Sequence, residues 1–298
     1  MTTAIYAERL VKRYRAVDAL RGLNLTVPEG SIYTLVGPNG AGKTTAIKIF
    51  MNIIEPTSGT AEVLGLNSKQ VKGKVLSHIG YVSENQKLPL WMNVGEFFEY
   101  LRPFYSTWDR DLEGQLIIQF DLPANRRLKQ LSRGMRMKAA LASALAFRPK
   151  LVVMDEPFSG LDPLVRDELC QAILRRPEGS TVFLSSHDLA EVETFGTHLG
   201  FLENGMLRLS EEIVSLSARF REVDLLFEGQ APVVRNLPVS WLHISTFPSG
   251  LRFIETHFDE ERTNADISER FVNVKRTFRQ MSLREMFVAL AKTSQGKF

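Results

Sequence analysis

The sequence predicts an α/β layered protein: a largely parallel sheet between helices, with a helical lobe and a small α+β unit at the end of the chain. Three observations predict it. Short apolar runs bounded by Gly, Pro, Asn or charge alternate with helical patterns through the first two hundred residues. One of these runs leads into a glycine-rich loop that opens a helix. Near Glu211 the alternation stops and the texture changes.

In chain order, residues 5–10, 23–27, 31–36 and 60–63 read as strands, as do 79–82, 151–154, 181–185 and 199–202. Leu151-Val152-Val153-Met154 and Val182-Phe183-Leu184 are continuously apolar, which suits strands buried on both faces of a parallel sheet. Helical patterns cover 43–51, 94–104, 112–120, 133–147, 165–174 and 189–195. Residues 94–147 hold three of these and no convincing strand, so a helical lobe is expected at about 90–148. In the last part, Leu225-Leu226-Phe227 and Arg252-Phe253-Ile254 are expected as edge strands. Ser282-Leu283-Arg284-Glu285 matches a capping box, after which Leu283, Met286, Phe287 and Leu290 share one face of a docking helix. The expected division is 1–215 and 216–298.

Composition narrows the class. Of 298 residues, 44% are hydrophobic and 24% charged, which excludes a wholly disordered chain, collagen and a disulfide miniprotein. Lys and Arg number 37 against 34 acids, and a net charge of +3 calls for no polyanion partner. The one cysteine, Cys170, has no partner for an internal disulfide; it favours a reducing compartment and reads as packing. The longest stretch free of Asp, Glu, Lys and Arg, 236–251, contains Pro238 and Pro248 and lacks the ~20 apolar residues of a spanning helix. Met1-Thr2-Thr3-Ala4 begins no signal-peptide pattern.

Gly37-Pro38-Asn39-Gly40-Ala41-Gly42-Lys43-Thr44-Thr45 contains G-x-x-x-x-G-K-[ST] between a strand and a helix. Glycines let backbone N–H groups curl around phosphate oxygens, and the helix start adds its positive end. Lys43 reaches the β- and γ-phosphates, and the Thr44 hydroxyl suits Mg²⁺. Nucleotide binding is the expectation.

The buried run 151–154 leads straight into Asp155-Glu156. Side chains alternate along a strand, so the two acids point differently. Asp155 suits the Mg²⁺ shell and Glu156 the attacking water. Acidic strand ends are also common as solvated turns; the upstream phosphate loop favours the catalytic reading. Leu131-Ser132-Arg133-Gly134-Met135 precedes a long helix. Asp162-Pro163 has the form of an N-cap followed by a first helical residue, and His187 ends a strand. His78, His198, His243 and His257 share no metal-ligand spacing with His187.

In this order the motifs resemble the nucleotide-binding subunits of ABC transporters, over about residues 5–217. The resemblance implies a P-loop NTPase core with an antiparallel β subdomain and a helical lobe, binding ATP and Mg²⁺. It implies that Tyr14 stacks on adenine and that Gly37 to Thr45 hold the phosphates. Asp155 becomes the Mg²⁺-linked acid, Glu156 the catalytic base and His187 the switch histidine at the γ-phosphate. Ser132 and Gly134 belong to the signature motif that contacts ATP on the opposite subunit, and Asp162 to the loop linking the two sites. The sequence departs from the family pattern at Arg133 and Met135, where glycine and glutamine are usual. It departs again at Glu84, where glutamine is usual; Gln86 stands two places later. Register favours Glu84 as the third Mg²⁺-site residue beside Thr44 and Asp155.

The resemblance further implies a second ATP-binding subunit, expected as a homodimer, and a separate integral membrane permease. The latter docks between core and lobe at residues 84–101, with Trp91 and Met92 as contacts if exposed. The implied activity is ATP hydrolysis driving an exporter of drugs, antibiotics or lipids from the cytoplasmic face of the membrane. The competing expectations are a soluble ABC-type ATPase acting on ribosomes, nucleic acid or iron–sulfur assembly, and a small-molecule kinase or GTPase using the same loop. No nucleic acid is expected, because Lys275, Arg276, Arg279 and Arg284 are balanced by Asp266, Glu269 and Glu285.

Overall fold

The structure is a computed structural model and describes residues 2–84, 86–229 and 237–295. The chain divides into two compact units, Met1–Ser210 and Glu211–Phe298.

The first unit is built on a six-stranded sheet. Its order is Met206–Glu212, His198–Glu203, Ile32–Val36, Thr181–Ser186, Leu151–Asp155 and Ile79–Ser83. From His198–Glu203 across to Ile79–Ser83 the pairing is parallel. The three central strands are buried along their whole length, as their unbroken apolar runs require. Their side chains alternate between two cores. Ile32, Val152, Met154, Val182 and Leu184 pack toward the helical lobe. Tyr33, Leu35, Leu151, Val153 and Phe183 pack on the opposite face, against the phosphate-loop helix Lys43–Phe50 and a second sheet. That sheet is antiparallel, ordered Val17–Pro28, Thr3–Tyr14, Ser58–Val63 and Leu66–Asn67. An Asn204-Gly205 turn with φ of 50° and 76° joins the last two strands of the main sheet, the conformation such a two-residue hairpin demands.

The helical lobe contains Val94–Leu101, Arg110–Gln119 and Arg133–Leu145. Asn93 and Glu96 close a reciprocal capping box at its first helix. Phe98, Phe120 and Leu128 are fully buried there, each such side chain contributing about 1.5–3 kcal/mol. Beneath them Glu113 takes a fork from Arg102 and the Trp108 indole N–H. Burial raises the Glu113 carboxyl, but these donors outweigh it and leave the group below its ordinary range. Cys170 is buried among the apolar residues of this core.

The second unit is a four-stranded antiparallel sheet, ordered Trp241–Phe247, Gly250–Glu255, Arg221–Phe227 and Val274–Gln280, with helices Ile213–Arg219, Glu260–Arg270 and Leu283–Gln295. The two strands expected at edges are its central pair, a correction with a plain cause. Val223, Leu225, Leu251 and Phe253 alternate inward and are fully buried, so their strands take the middle. The edges are Val274–Gln280, mostly polar with four exposed positions, and Trp241–Phe247, whose pairing shifts register between Leu242 and Ser245. Ser282 and Glu285 form the expected capping box, and Leu283 and Met286 are buried. Of the basic residues near the end, Arg276 is held by Asn264 and Ser268, and Arg279 by Glu222 and Glu285.

Candidate active site

The site lies at the carboxyl ends of the central parallel strands, where open α/β sheets expose their loops. Ile32–Val36 delivers Gly37, and Gly37 N–H donates to Ser186 O at 3.3 Å, tying the loop to the neighbouring strand end. Gly42 is the helix N-cap at φ 108°, and a β-carbon there would run into Ala19 O. A side chain there is strained and obstructed, so this position requires glycine. Lys43 is the first residue of the helix and only 5% exposed. Its ammonium donates to Gly37 O at 2.7 Å and to Pro38 O at 3.3 Å, and lies 3.1 Å from Glu156 Oε1. Pro38, Asn39, Gly40 and Thr44 are exposed around it.

The two acids separate as strand alternation requires. Asp155 Oδ1 accepts from Thr44 Oγ1 at 3.0 Å and from Ser185 Oγ at 2.8 Å. Glu156 adopts φ 50°, a left-handed conformation that costs an ordinary side chain about 1–3 kcal/mol. Its N–H donates to the same Ser185 Oγ at 3.0 Å. That turn swings the Glu156 carboxylate away from Asp155 and onto Lys43 and His187, whose Nδ1 stands 2.7 Å from Oε2. A carboxylate only accepts, so His187 Nδ1 carries the proton in this bond. Ser185, fully buried, therefore sets both acids. Sequence reasoning missed it; the signal was a serine pair at the end of an otherwise apolar strand.

Thr44 and Asp155 offer adjacent hard oxygens, the donor set that Mg²⁺ takes when phosphates and water complete its shell. Among the described residues no three His, Cys, Asp or Glu side chains form a self-sufficient metal cage. The residues present fit Mg²⁺ held jointly with a nucleotide. Glu84 is not brought to this pair. Its N–H donates to Asp155 O at 2.9 Å, but its Oε1 accepts from Arg133 Nη2 and Ser159 Oγ, each at 2.9 Å. Gln86 Oε1 accepts from the Ser83 N–H at 3.3 Å.

The other motif residues sit at helix starts. Ser132 caps Arg133–Leu145 by accepting from Met135 N–H at 3.1 Å. Asp162 caps Pro163–Leu174 through Val165 N–H at 3.1 Å, with Pro163 at the first helical position. Gly134 is buried where a side chain would press 3.1 Å from both Val165 methyls, so its small size lets the two helix starts approach. No hydrogen bond or ion pair among the described residues joins 131–135 to the phosphate loop 37–45. Tyr14 is 43% exposed at the end of its strand, with Lys12 Nζ 5.1 Å from its ring centre.

A groove of about 680 Å³ opens beside the lobe, lined by Tyr81, Leu88, Phe97, Tyr100, Tyr105 and Phe147 among others. Of the contact segment 84–101, Asn85 lies outside the described residues. Trp91 is 71% exposed, whereas its neighbour Met92 is buried in the lobe core. The condition of exposure is thus met by Trp91 and not by Met92, which turns inward because its neighbour Asn93 starts the helix at Val94.

Comparison with known proteins places this geometry in context. The ABC transporter family pattern matches residues 20–159. The chain is 32% identical to the lantibiotic transport ATP-binding protein SrtF of Streptococcus pyogenes over 69% of this chain and 89% of that one. It is 28% identical to the bacitracin transport ATP-binding protein BcrA of Bacillus licheniformis over 97% and 98% of the two. An uncharacterized ABC transporter ATP-binding protein of Synechocystis is 31% identical over 72% of this chain, which spans 62% of that relative's length. Among solved structures, a dimeric ATP-binding cassette bound to ADP and Pi after hydrolysis superposes with a TM-score of 0.61 at 26% identity, over 70% of this chain and 98% of that one.

Proposed function

This chain belongs to the ABC transporter ATP-binding family, and from that premise we propose that it is the ATP-hydrolysing subunit of an exporter, pairing with a second copy and with a separate membrane permease. The observation that carries the reading is the joint placement of Lys43, Thr44, Asp155, Glu156 and His187 at the carboxyl ends of three neighbouring strands.

The chemistry follows from these contacts. A phosphate bound in the loop competes with Glu156 for the Lys43 ammonium. Once Lys43 turns to the phosphate, Glu156 Oε1 is free to take a proton from the attacking water, while His187 keeps the carboxylate oriented through Oε2. Thr44 and Asp155 would hold Mg²⁺, which supplies charge neutralisation at the phosphate oxygens. Tyr14 offers an exposed ring for the adenine. The signature residues bond to no part of their own phosphate loop. On this reading the N–H groups that follow Ser132 would meet ATP held by a second copy, with Asp162 in the loop between the two sites. The γ-phosphate then binds both copies only when they close, and this differential affinity drives closure; cleavage reopens the pair.

The relatives named for bacitracin and lantibiotic transport support, among the cargoes drugs, antibiotics or lipids, an antibiotic. The described residues contain no helix long and apolar enough to cross a membrane. A peripheral position on the cytoplasmic face, docked on a permease through the groove and Trp91, fits that observation.

The test is sedimentation of the full Glu156→Gln chain with saturating ATP and Mg²⁺, alone and with candidate permeases. An ATP-dependent dimer, and co-purification with a polytopic membrane protein that is lost in Trp91→Ala, is the expected result. A chain that stays monomeric in all these mixtures overturns the reading.

A further inference from the structure

Two of the three positions at which the sequence departs from the family pattern, Arg133 and Glu84, touch each other. Arg133 Nη2 donates to Glu84 Oε1 at 2.9 Å, although the residues lie 49 positions apart. Ser159 Oγ donates to the same oxygen at 2.9 Å. The Arg133 guanidinium also covers Gly160: a side chain there would stand 2.8 Å from Arg133 Nη1. One ion pair thus joins three loops, those after Ile79–Ser83, before Arg133–Leu145 and after Leu151–Asp155.

Charge explains why the departures come together. Ser83 pairs with Asp155 across the sheet, and Glu84 N–H bonds Asp155 O, so the Glu84 backbone adjoins the acid that accepts from Thr44 while its carboxylate turns to Arg133 and Ser159. An unpaired carboxylate at that edge repels a triphosphate. Arg133 cancels it. Where the pattern has neutral glutamine and neutral glycine, this chain has an anion and a cation in contact, and the sum is unchanged. Neither residue faces solvent alone: their side chains are 34% and 46% exposed, and each directs its polar end at the other.

We propose that Glu84 and Arg133 form a matched charge pair that adds no net charge to the Asp155 edge of the nucleotide site and holds the 159–160 turn, with Arg133 a positioning residue acting through Glu84. The proposal rests on nucleotide binding at residues 37–45 and deepens that reading.

The experiment is a four-member cycle on the full chain: native, Glu84→Gln, Arg133→Gln and the double variant. Dissociation constants for ATP with Mg²⁺ are measured at low and high salt, with thermal unfolding reporting that each chain is folded. Arg133→Gln should weaken ATP about threefold to tenfold, the range for one uncompensated charge at a part-exposed site. The double variant should return to within about twofold of native, and Arg133→Lys should recover most of the loss. The deficit of Arg133→Gln should shrink as salt screens it. Should Arg133→Gln not fold, Glu84→Asp carries the same test, since its shorter arm leaves a carboxylate at the edge without its partner. Unchanged affinity in Arg133→Gln, a double variant as weak as that single, or a salt-independent deficit overturns the pairing. A native chain that binds no ATP overturns the nucleotide reading as well, and is told apart by that result.

Discussion

Lys43 Nζ lies 3.1 Å from Glu156 Oε1, so the cation of the phosphate loop and the acid after the central strand form one ion pair across the sheet edge. Both are largely buried, at 5% and 14% side-chain exposure, which makes the pair sensitive to loss of either member. Glu156→Gln keeps the shape and most hydrogen bonds but removes the base. Phosphate release should fall by ~10²–10⁴, the range for a positioned base, while ATP binding persists. Turnover at the native rate would assign the base elsewhere.

Lys43→Ala strands the Glu156 carboxylate and removes the cation proposed to meet the phosphates. ATP affinity should fall about tenfold or more, as expected for a lost charge-assisted contact. Equilibrium binding of a fluorescent ATP analogue measures it; native affinity would remove Lys43 from the phosphate site.

Thr44→Val takes one oxygen from the Thr44–Asp155 pair, whose atoms are 3.0 Å apart. The Mg²⁺ concentration needed for half-maximal ATP hydrolysis should rise several-fold, on the order of that seen when one of few protein oxygens is lost. A Mg²⁺ titration that superposes on the native curve would exclude Thr44 from the metal.

Gly42→Ala places a methyl group at φ 108° against Ala19 O. Unfolding by urea should show a loss of about 1–3 kcal/mol, the cost of holding an ordinary residue in such a conformation. An unchanged midpoint would mean the loop is not built on this turn.

In the second unit, Arg279 and the Ser282 N–H hold the Glu285 carboxyl at about 2, against an ordinary 4.5. A carboxyl lowered on folding adds stability that is complete above 4.5 and drains away as pH falls toward 2, because the unfolded chain binds the proton first. The side chain is 41% exposed, so solvent screens much of this gain. Glu285→Gln should therefore melt earlier at neutral pH, with the gap closing between pH 4.5 and about 2. A gap that widens on acidification would reverse the assignment.

Much of the site is legible in the chain because its parts are local. Residues 37–45 form one loop-to-helix turn, and Asp155-Glu156 end one apolar run, so composition and spacing reveal both. The capping roles of Ser132, Asp162 and Ser282 are likewise short-range. Other features depend on contacts no local pattern records. Ser185 reads as an ordinary strand serine until the neighbouring strand brings Asp155 and Glu156 to its hydroxyl. Val274–Gln280 carries too many polar residues to announce itself, and Trp241–Phe247 is broken by a register shift between Leu242 and Ser245 with His243 at φ 50°, so the central pair of that sheet looks like edges. Trp91 and Met92 are adjacent large apolar residues, and only the docking of the lobe decides that one is outside and the other in.

The order of residue types by itself determined the layered α/β core, the phosphate loop and the two strand-end acids, because backbone conformation and burial follow from neighbours a few positions away. The folded structure alone decided which charges meet. Thr44 finds Asp155 across 111 positions, His187 finds Glu156 across 31, and Arg133 finds Glu84 across 49. Sheet register and helix docking set those distances, and ionic attraction, which falls with separation and with water between the charges, acts only after the fold has closed them.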